Sequence, residues 1–372
     1  MKYQEMFQDR ELARSLAKKI QDFRLDKPIK FMEVCGTHTM AIHQFGLKSL
    51  FPKNLELLSG PGCPVCVTPV EYLDKAIALA QNPRVIIATF GDLFRIPGSY
   101  SDLRKTRARG GKIQIVYSPL EALDLAKTHP EQEIVFLGVG FETTLPGIAK
   151  AIKDAALNHI DNFSVLTSTR TIPMALRSLA ASSELALSGF ILPGHVSCII
   201  GETPYQFLAS EFKTSGVITG FEPLDLLYAI YELLETHRRG EAKILNLYPR
   251  AVKPQGNLKA QALIAEVFEP ADLNWRGIGV IPQSGLKLRD NFEAFSAEHR
   301  FKVTVPASKE NPACICGAIL RGSKNPLNCP LFGKACTPEE PVGACMVSTE
   351  GTCAAFYKYG SLPLSGLESF TE

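Results

Sequence analysis

The chain has 372 residues, 45% of them hydrophobic and 21% charged, with a formal net charge of +2. That balance describes an ordinary globular protein and gives no electrostatic reason to bind nucleic acid or an anionic membrane. No apolar run approaches the roughly 20 residues that span a bilayer. The N-terminus MKYQEMFQDRELARSLAKKI lacks the basic-then-apolar pattern of a secretion signal. The expected location is the cytoplasm, where clustered thiols serve as metal ligands or redox groups rather than structural disulfides.

In chain order, an amphipathic helix is expected over about 3–23. Short apolar runs then predict strands at 29–34, 55–58, 85–89, 113–117, 134–137, 164–167, 189–192, 216–219 and 278–281. Helical periodicity fills 70–80, 120–127, 145–158, 174–185, 205–212, 224–238 and 258–268. This alternation predicts an α/β fold with two parallel-sheet α/β domains whose strand-end loops face a shared cleft. A third domain is expected to carry a loop-rich, cysteine-rich module. The expected ranges are 45–125, 126–240, and 1–44 together with 241–372, with the charged THRRGEAK at 236–243 as a junction.

Most of these strands end in a polar loop: CGTHT (35–39), SGPGCPVCVTP (59–69), FGDLFRIPGS (90–99), GVGFETT (138–144), STRT (168–171), PGHVS (193–197), TGFEP (219–223) and PQSG (282–285). Open parallel sheets bind ligands outside the carboxyl ends of their strands. Glycine and proline are what a tight turn needs, but the Cys, His, Asp, Glu and Arg among them call for another reason. Cys63 and Cys66 form a CxxC just before a helix, with Thr68 and Glu71 spaced as a capping box and Pro69 at the first helical position. The helix N-terminus favours thiolates there, for a reversible disulfide or a soft metal. Half of a structural zinc site is the alternative, though no second CxxC or HxxxH completes it.

Cys35 and His38, three apart at a strand end, suit thiolate ligation with imidazole as proton shuttle, or a cysteine nucleophile activated by histidine. Glu142 is a candidate for proton chemistry or a helix cap. Asp92 and Arg95 read as an ion pair, and Cys198 as a core thiol. The glycines of GVGFETT do not make a dinucleotide fingerprint, and no P-loop occurs.

Beyond residue 306 the alternation stops, and the spacing becomes Cys314-x-Cys316-x12-Cys329-x6-Cys336-x8-Cys345-x7-Cys353. Dispersed thiolates suit an iron–sulfur cluster better than zinc, and six thiols leave two for redox exchange. Spacing alone does not choose the four ligands.

With CGTHT, GPGCPVC, FGDLFRIPGS, GVGFETT, PGHVS, TGFEPLD, IPQSG and CPLFGKACTPEEPVGACMVSTEGTCAAFYKYG in place, the chain resembles the HypD family of hydrogenase-maturation proteins along nearly its whole length. The resemblance implies a scaffold for the Fe(CN)2CO moiety of [NiFe]-hydrogenase, working with the small chaperone HypC. Cyanide would come from HypE, with HypF upstream, and the hydrogenase large subunit precursor would be served indirectly. It also implies a [4Fe-4S] cluster on a C-x14-C-x6-C-x16-C pattern, which here selects Cys314, Cys329, Cys336 and Cys353. Cys316 and Cys345 then form a spare thiol pair, as in ferredoxin:thioredoxin reductase, and Cys35, Cys63 and Cys66 handle iron with His38 close by. An iron–sulfur thiol–disulfide oxidoreductase is the competing function, and a zinc-stabilised binding module a third.

Overall fold

The computed structural model describes residues 10–182 and 184–360. Its first helix, Arg10–Gln21, matches the described part of the expected N-terminal helix except for its last two residues. Eleven strands follow: β1 Ile29–Glu33, β2 Leu55–Ser59, β3 Val85–Thr89, β4 Lys112–Ile115, β5 Glu133–Gly140 and β6 Phe163–Arg170. The rest are β7 Gly189–Pro193, β8 Ser215–Thr219, β9 Ile244–Asn246, β10 Phe268–Trp275 and β11 Gly279–Leu288.

The fold is α/β with two mostly parallel sheets. The first has the order β2-β1-β7-β8-β9 and is parallel throughout. The second has the order β10-β11-β6-β5-β3-β4. Its β3 to β6 are parallel, as the unbroken apolar run of β5 requires of a strand covered on both faces. The β10–β11 hairpin departs from the all-parallel expectation and adds an antiparallel edge. Residues 278–281 do enter a strand, but its partner β10 was not foreseen. Its sequence FEPADLNW is rich in Glu, Pro, Asp and Asn, which are poor strand formers, and the register shift between Ala271 and Leu273 puts the extra residues in β11.

The sheets do not follow the expected segments. β1 and β2 pair within one sheet with β7 to β9, and the whole run β3 to β6 lies between them in sequence and forms the other. Both sheets reverse strand order once. In the first, the chain leaves β1 toward β2 and later returns on the other side to β7; in the second, β3 and β5 flank the same kind of point. The crevice for a ligand lies at such a switch point, beyond the carboxyl ends of the strands. Cys35 follows β1 and His195 follows β7, so the first crevice is lined by two of the polar loops. Glu142 follows β5 at the second.

From 302 to 350 the chain holds only short helical turns, among them Cys316–Leu320 and Ala344–Met346. The helix Thr352–Tyr359 then packs on Gly36–Gln44. Among the described residues, no helix is long and apolar enough to cross a membrane.

Candidate thiol and metal site

The two early cysteine loops touch through their backbones. Gly36 N–H donates to the Gly62 carbonyl at 3.1 Å, and a Cβ on Gly62 would collide with the main chain of Val34 and Cys35. Only glycine permits this approach, which sets Cys35 beside Cys63. Cys35 is the N-cap of helix Gly36–Gln44, and its sulfur faces the N–H groups of Thr37 and His38. Burial nevertheless pushes its thiol up to about 12, overriding those hydrogen bonds. Its own N–H donates to Glu33 Oε2 at 3.1 Å. Burial lifts the Glu33 carboxyl to about 7, against the hydroxyl of Thr39 and other donors that favour its charge.

His38 is fully buried, and its Nε2 lies 2.9 Å from the Gly220 carbonyl. A carbonyl only accepts, so Nε2 carries the proton and Nδ1 keeps its lone pair. Burial holds the ring down to about 4, hence neutral, and Nδ1 has no hydrogen-bond partner. An imidazole fixed in this way offers Nδ1 as a ligand, while burial makes it a weak base. Phe221 stacks on His195 at 4.0 Å and tilts against His38 at 4.8 Å. The PGHVS, TGFEP and CGTHT loops therefore meet.

Cys63 and Cys66 form a disulfide with Cα atoms 5.3 Å apart. The capping box expected at Thr68 and Glu71 is absent. Pro69 is the N-cap of Val70–Ala80 instead of its first residue, and the Thr68 hydroxyl turns back to the Pro64 carbonyl at 2.9 Å, bracing the disulfide loop. Both cysteines are buried, at 4% and 0% exposure, which removes the solvent contact an external reductant would need. Cys66 Sγ packs 4.0 Å from the carbonyl of Ala344, next to Cys345. Cys63, Cys66, Cys316, Cys336, Cys345 and Cys353 belong to one buried core with Trp275 and Phe141.

Within the C-terminal module, the Cys316 thiol is hydrogen-bonded with Cys314, Cys345 and Cys353. The exchange with Cys316 draws Cys314 below the usual thiol range and drives Cys316 well above it. Cys314, Cys316, Cys329, Cys336 and Cys353 line one small cavity with Ile319, Leu331, Phe332 and Met346. Soft sulfur donors around an apolar hollow are the donor set an iron–sulfur cluster takes. The four sulfurs of the C-x14-C-x6-C-x16-C pattern all lie on it, Cys316 lies there too, and Cys345 lies outside its lining. Among the described residues, no three Cys, His, Asp or Glu side chains already stand in metal-binding geometry.

Glu142 accepts the Ile172 N–H at 2.9 Å, so it does cap a helix, though one beyond β6 rather than its own. Burial raises it to about 8, and Oε2 has no partner. Asp92 and Arg95 each reach the C-terminal module: Asp92 accepts from the Ser348 hydroxyl at 2.8 Å and Arg95 donates to the Pro338 carbonyl at 3.3 Å. Cys198 is only part-buried, not a core thiol. Sequence reasoning passed over Glu33 and Glu350. The Thr37 hydroxyl donates to Glu350 Oε1 at 2.8 Å, which ties the module to CGTHT. A lone acid in the apolar run IKFMEV was the visible signal for Glu33.

Comparison with known proteins bears on the same residues. A sequence model described as "HypD: Hydrogenase formation hypA family" matches residues 11–360. The chain belongs to the HypD family. It is 45% identical over 369 residues to hydrogenase maturation factor HypD2 of Bradyrhizobium diazoefficiens, covering 97% of both chains. It is 46% identical over 371 residues to HypD of Rhizobium leguminosarum bv. viciae, covering 97% of this chain and 96% of that one. HypD of Escherichia coli K12 is 43% identical over 338 residues, or 91% of each chain. Membership in a family of hydrogenase maturation factors implies partners in the maturation pathway.

Proposed function

We propose that this chain is the scaffold on which the Fe(CN)2CO moiety of [NiFe]-hydrogenase is assembled with HypC, receiving cyanide from HypE and serving the large subunit precursor indirectly. The observation that carries the reading is the packing of the buried Cys63–Cys66 disulfide against the segment holding Cys345, in one core with Cys316. A disulfide shielded from solvent calls for an internal reductant.

Cys35, Cys63 and Cys66 are the soft donors for the iron cargo, because thiolates suit a low-spin iron carrying cyanide and CO. Cys35 is a neutral thiol at physiological pH, so taking up iron must release its proton. The free Nδ1 of His38 is a hydrogen-bond acceptor or metal ligand within the same loop, too weak a base to keep that proton. Cys316 and Cys345 act as a dithiol: as they join in a disulfide, Cys63 and Cys66 return to thiols, with two electrons and two protons passing between the pairs. Cys314, Cys329, Cys336 and Cys353 would hold a [4Fe-4S] cluster, which would supply the single electrons, two in all, that return the Cys316–Cys345 disulfide to thiols. Glu142, neutral when buried, is placed to hold a proton at the second crevice.

Infrared spectroscopy of the anaerobic complex with HypC tests this reading. Wild type is expected to show CO and cyanide bands, Cys35→Ala to lose them, and Cys316→Ala to keep the brown cluster absorption while losing maturation. Unchanged bands in Cys35→Ala remove Cys35 from the iron site, and a colourless, zinc-loaded anaerobic protein refutes the cluster. A brown protein that reduces an external disulfide and never takes up iron with HypC is a thiol–disulfide oxidoreductase instead.

A further inference from the structure

Among the described residues the two sheets end in β2 and β9, and in β4 and β10. An open edge invites another chain, and proteins blunt it with short strands, charged side chains or proline. β9 has three residues, β4 carries Lys112, and β10 carries Pro270 among acidic residues. β2, with the sequence LELLS, has no such guard beyond Glu56, which is turned toward Lys30 of β1 at 3.8 Å.

The register fixes which main-chain groups of β2 are idle. Ile29 N–H donates to the Asn54 carbonyl, Gly60 N–H donates to the Glu33 carbonyl, and Ile29 and Glu33 lie opposite Leu55 and Ser59. Parallel pairing therefore turns Asn54, Glu56, Leu58 and Gly60 toward β1. The N–H and C=O of Leu57 and Ser59 point the other way and meet no main-chain partner among the described residues. Leu57 is only 6% exposed, and a buried main-chain group without a partner is costly.

These groups open on a hollow of about 230 Å³ that runs along all of β2. Its far wall belongs to the cysteine module, with Ile319, Gly322 and Phe356. Lys48 and Lys324 also line it, and neither has a described carboxylate within ion-pair distance. Lys48 Nζ sits 5.3 Å over the Phe356 ring, with Glu33 and Glu56 acting on it only from farther off.

We propose that the β2 edge is a docking slot for an extended acidic segment of a partner protein, which adds to the first sheet as a further strand. Leu57 and Ser59 supply the main-chain hydrogen bonds, and Lys48 and Lys324 favour acidic side chains. A hollow of this volume admits one extended chain rather than a helix about 10 Å across. The occupant bridges the sheet whose β1 leads into Cys35 and the helix Thr352–Tyr359, which holds Cys353. No iron is needed for the slot to form.

A labelled peptide of alternating glutamate and valine, with a lysine–valine peptide as control, is titrated into the full chain by fluorescence anisotropy. Ser59→Pro removes one outward N–H at a strand edge, where proline is tolerated, and Ser59→Ala controls for the hydroxyl that bonds Glu33. Wild type and Ser59→Ala are expected to bind the glutamate peptide alike, and Ser59→Pro about tenfold more weakly. Lys324→Glu, a surface change, should weaken it about threefold. Hydrogen exchange should slow at the Leu57 and Ser59 amides on binding and stay unchanged at Glu56 and Leu58. Absence of binding to wild type, equal binding by Ser59→Pro, or equal binding of the lysine peptide overturns the proposal. If Ser59→Pro does not fold, Lys324→Glu and the exchange pattern decide it. A chain ending at Gly360 that binds the peptide when the full chain does not would give the slot to the protein's own last segment and overturn the partner.

Discussion

Glu142 and Glu33 are acids that the fold keeps out of water, and the consequence is a pH dependence of definite sign. Both carboxyls are raised by burial, to about 8 and about 7 from an ordinary 4.5. Below the ordinary value both states hold the proton and the fold is not penalised. As pH rises, the unfolded chain releases it first, so stability is lost progressively until pH passes the folded value. Wild type is expected to lose several kcal/mol, at most about 6, between about pH 5 and pH 8 from these groups. Glu142→Gln, which mimics the neutral acid, should flatten the Glu142 share. Calorimetric melting across that range measures it, and parallel slopes in the two proteins would show Glu142 ionised in the fold. The cysteines were legible in the sequence because their spacing is chemically selective. Glu33 was not, because one acid in an apolar strand has no partner in sequence: what it meets, Cys35 N–H and the Thr39 hydroxyl, depends on the turn after β1.

The longer helices followed from periodicity, whereas Gly36–Gln44, Leu103–Ala108 and Gly194–Ile200 did not. Val70–Ala80 was read to the residue, since its apolar positions recur at helical spacing and Pro69 closes its start. Its capping was misread because a hydroxyl at the right spacing has other acceptors, and Thr68 found Pro64. The hairpin β10–β11 was half missed, yet its turn clamps the two cysteine segments. Arg276 N–H donates to the Val67 carbonyl at 2.8 Å, one residue past Cys66. Gly277 there has φ +76° and touches Gly317 main chain to main chain. Gly277→Val is expected to cost about 2–4 kcal/mol, from left-handed strain plus overpacking. Urea unfolding measures the cost. Faster loss of the proposed cluster in air should accompany it, and a variant as stable as wild type would mean the turn is not a clamp.

At the scale of the molecule, the C-terminal module is fastened to strand-end loops of both sheets: Glu350 to Thr37 in the first and Ser348 to Asp92 in the second. Asp92→Ala removes one fastening and leaves the Ser348 hydroxyl, in a residue 1% exposed, without its acceptor. The expected cost is about 1–2 kcal/mol in thermal unfolding, with the module becoming the first segment cut in limited proteolysis. Unchanged cleavage would place its anchorage elsewhere. The α/β class was legible from the alternation of runs, but the sharing of strands between sheets was not, because apolar runs carry no record of their neighbours. The pairing of Phe31 with Gly189 and of β1 with β7 also bears on how the chain is made. When the ribosome has delivered β1 and β2 with Cys35, Cys63 and Cys66, the strand that completes their sheet is still unsynthesised, and β3 to β6 emerge first. Neighbours so distant in sequence pair late and slowly. The thiols of the nascent chain therefore exist long before Gly220 arrives to hold His38 beside them. Any iron seized in that interval would meet an open, unshaped group of sulfurs, which makes loading after release the orderly course.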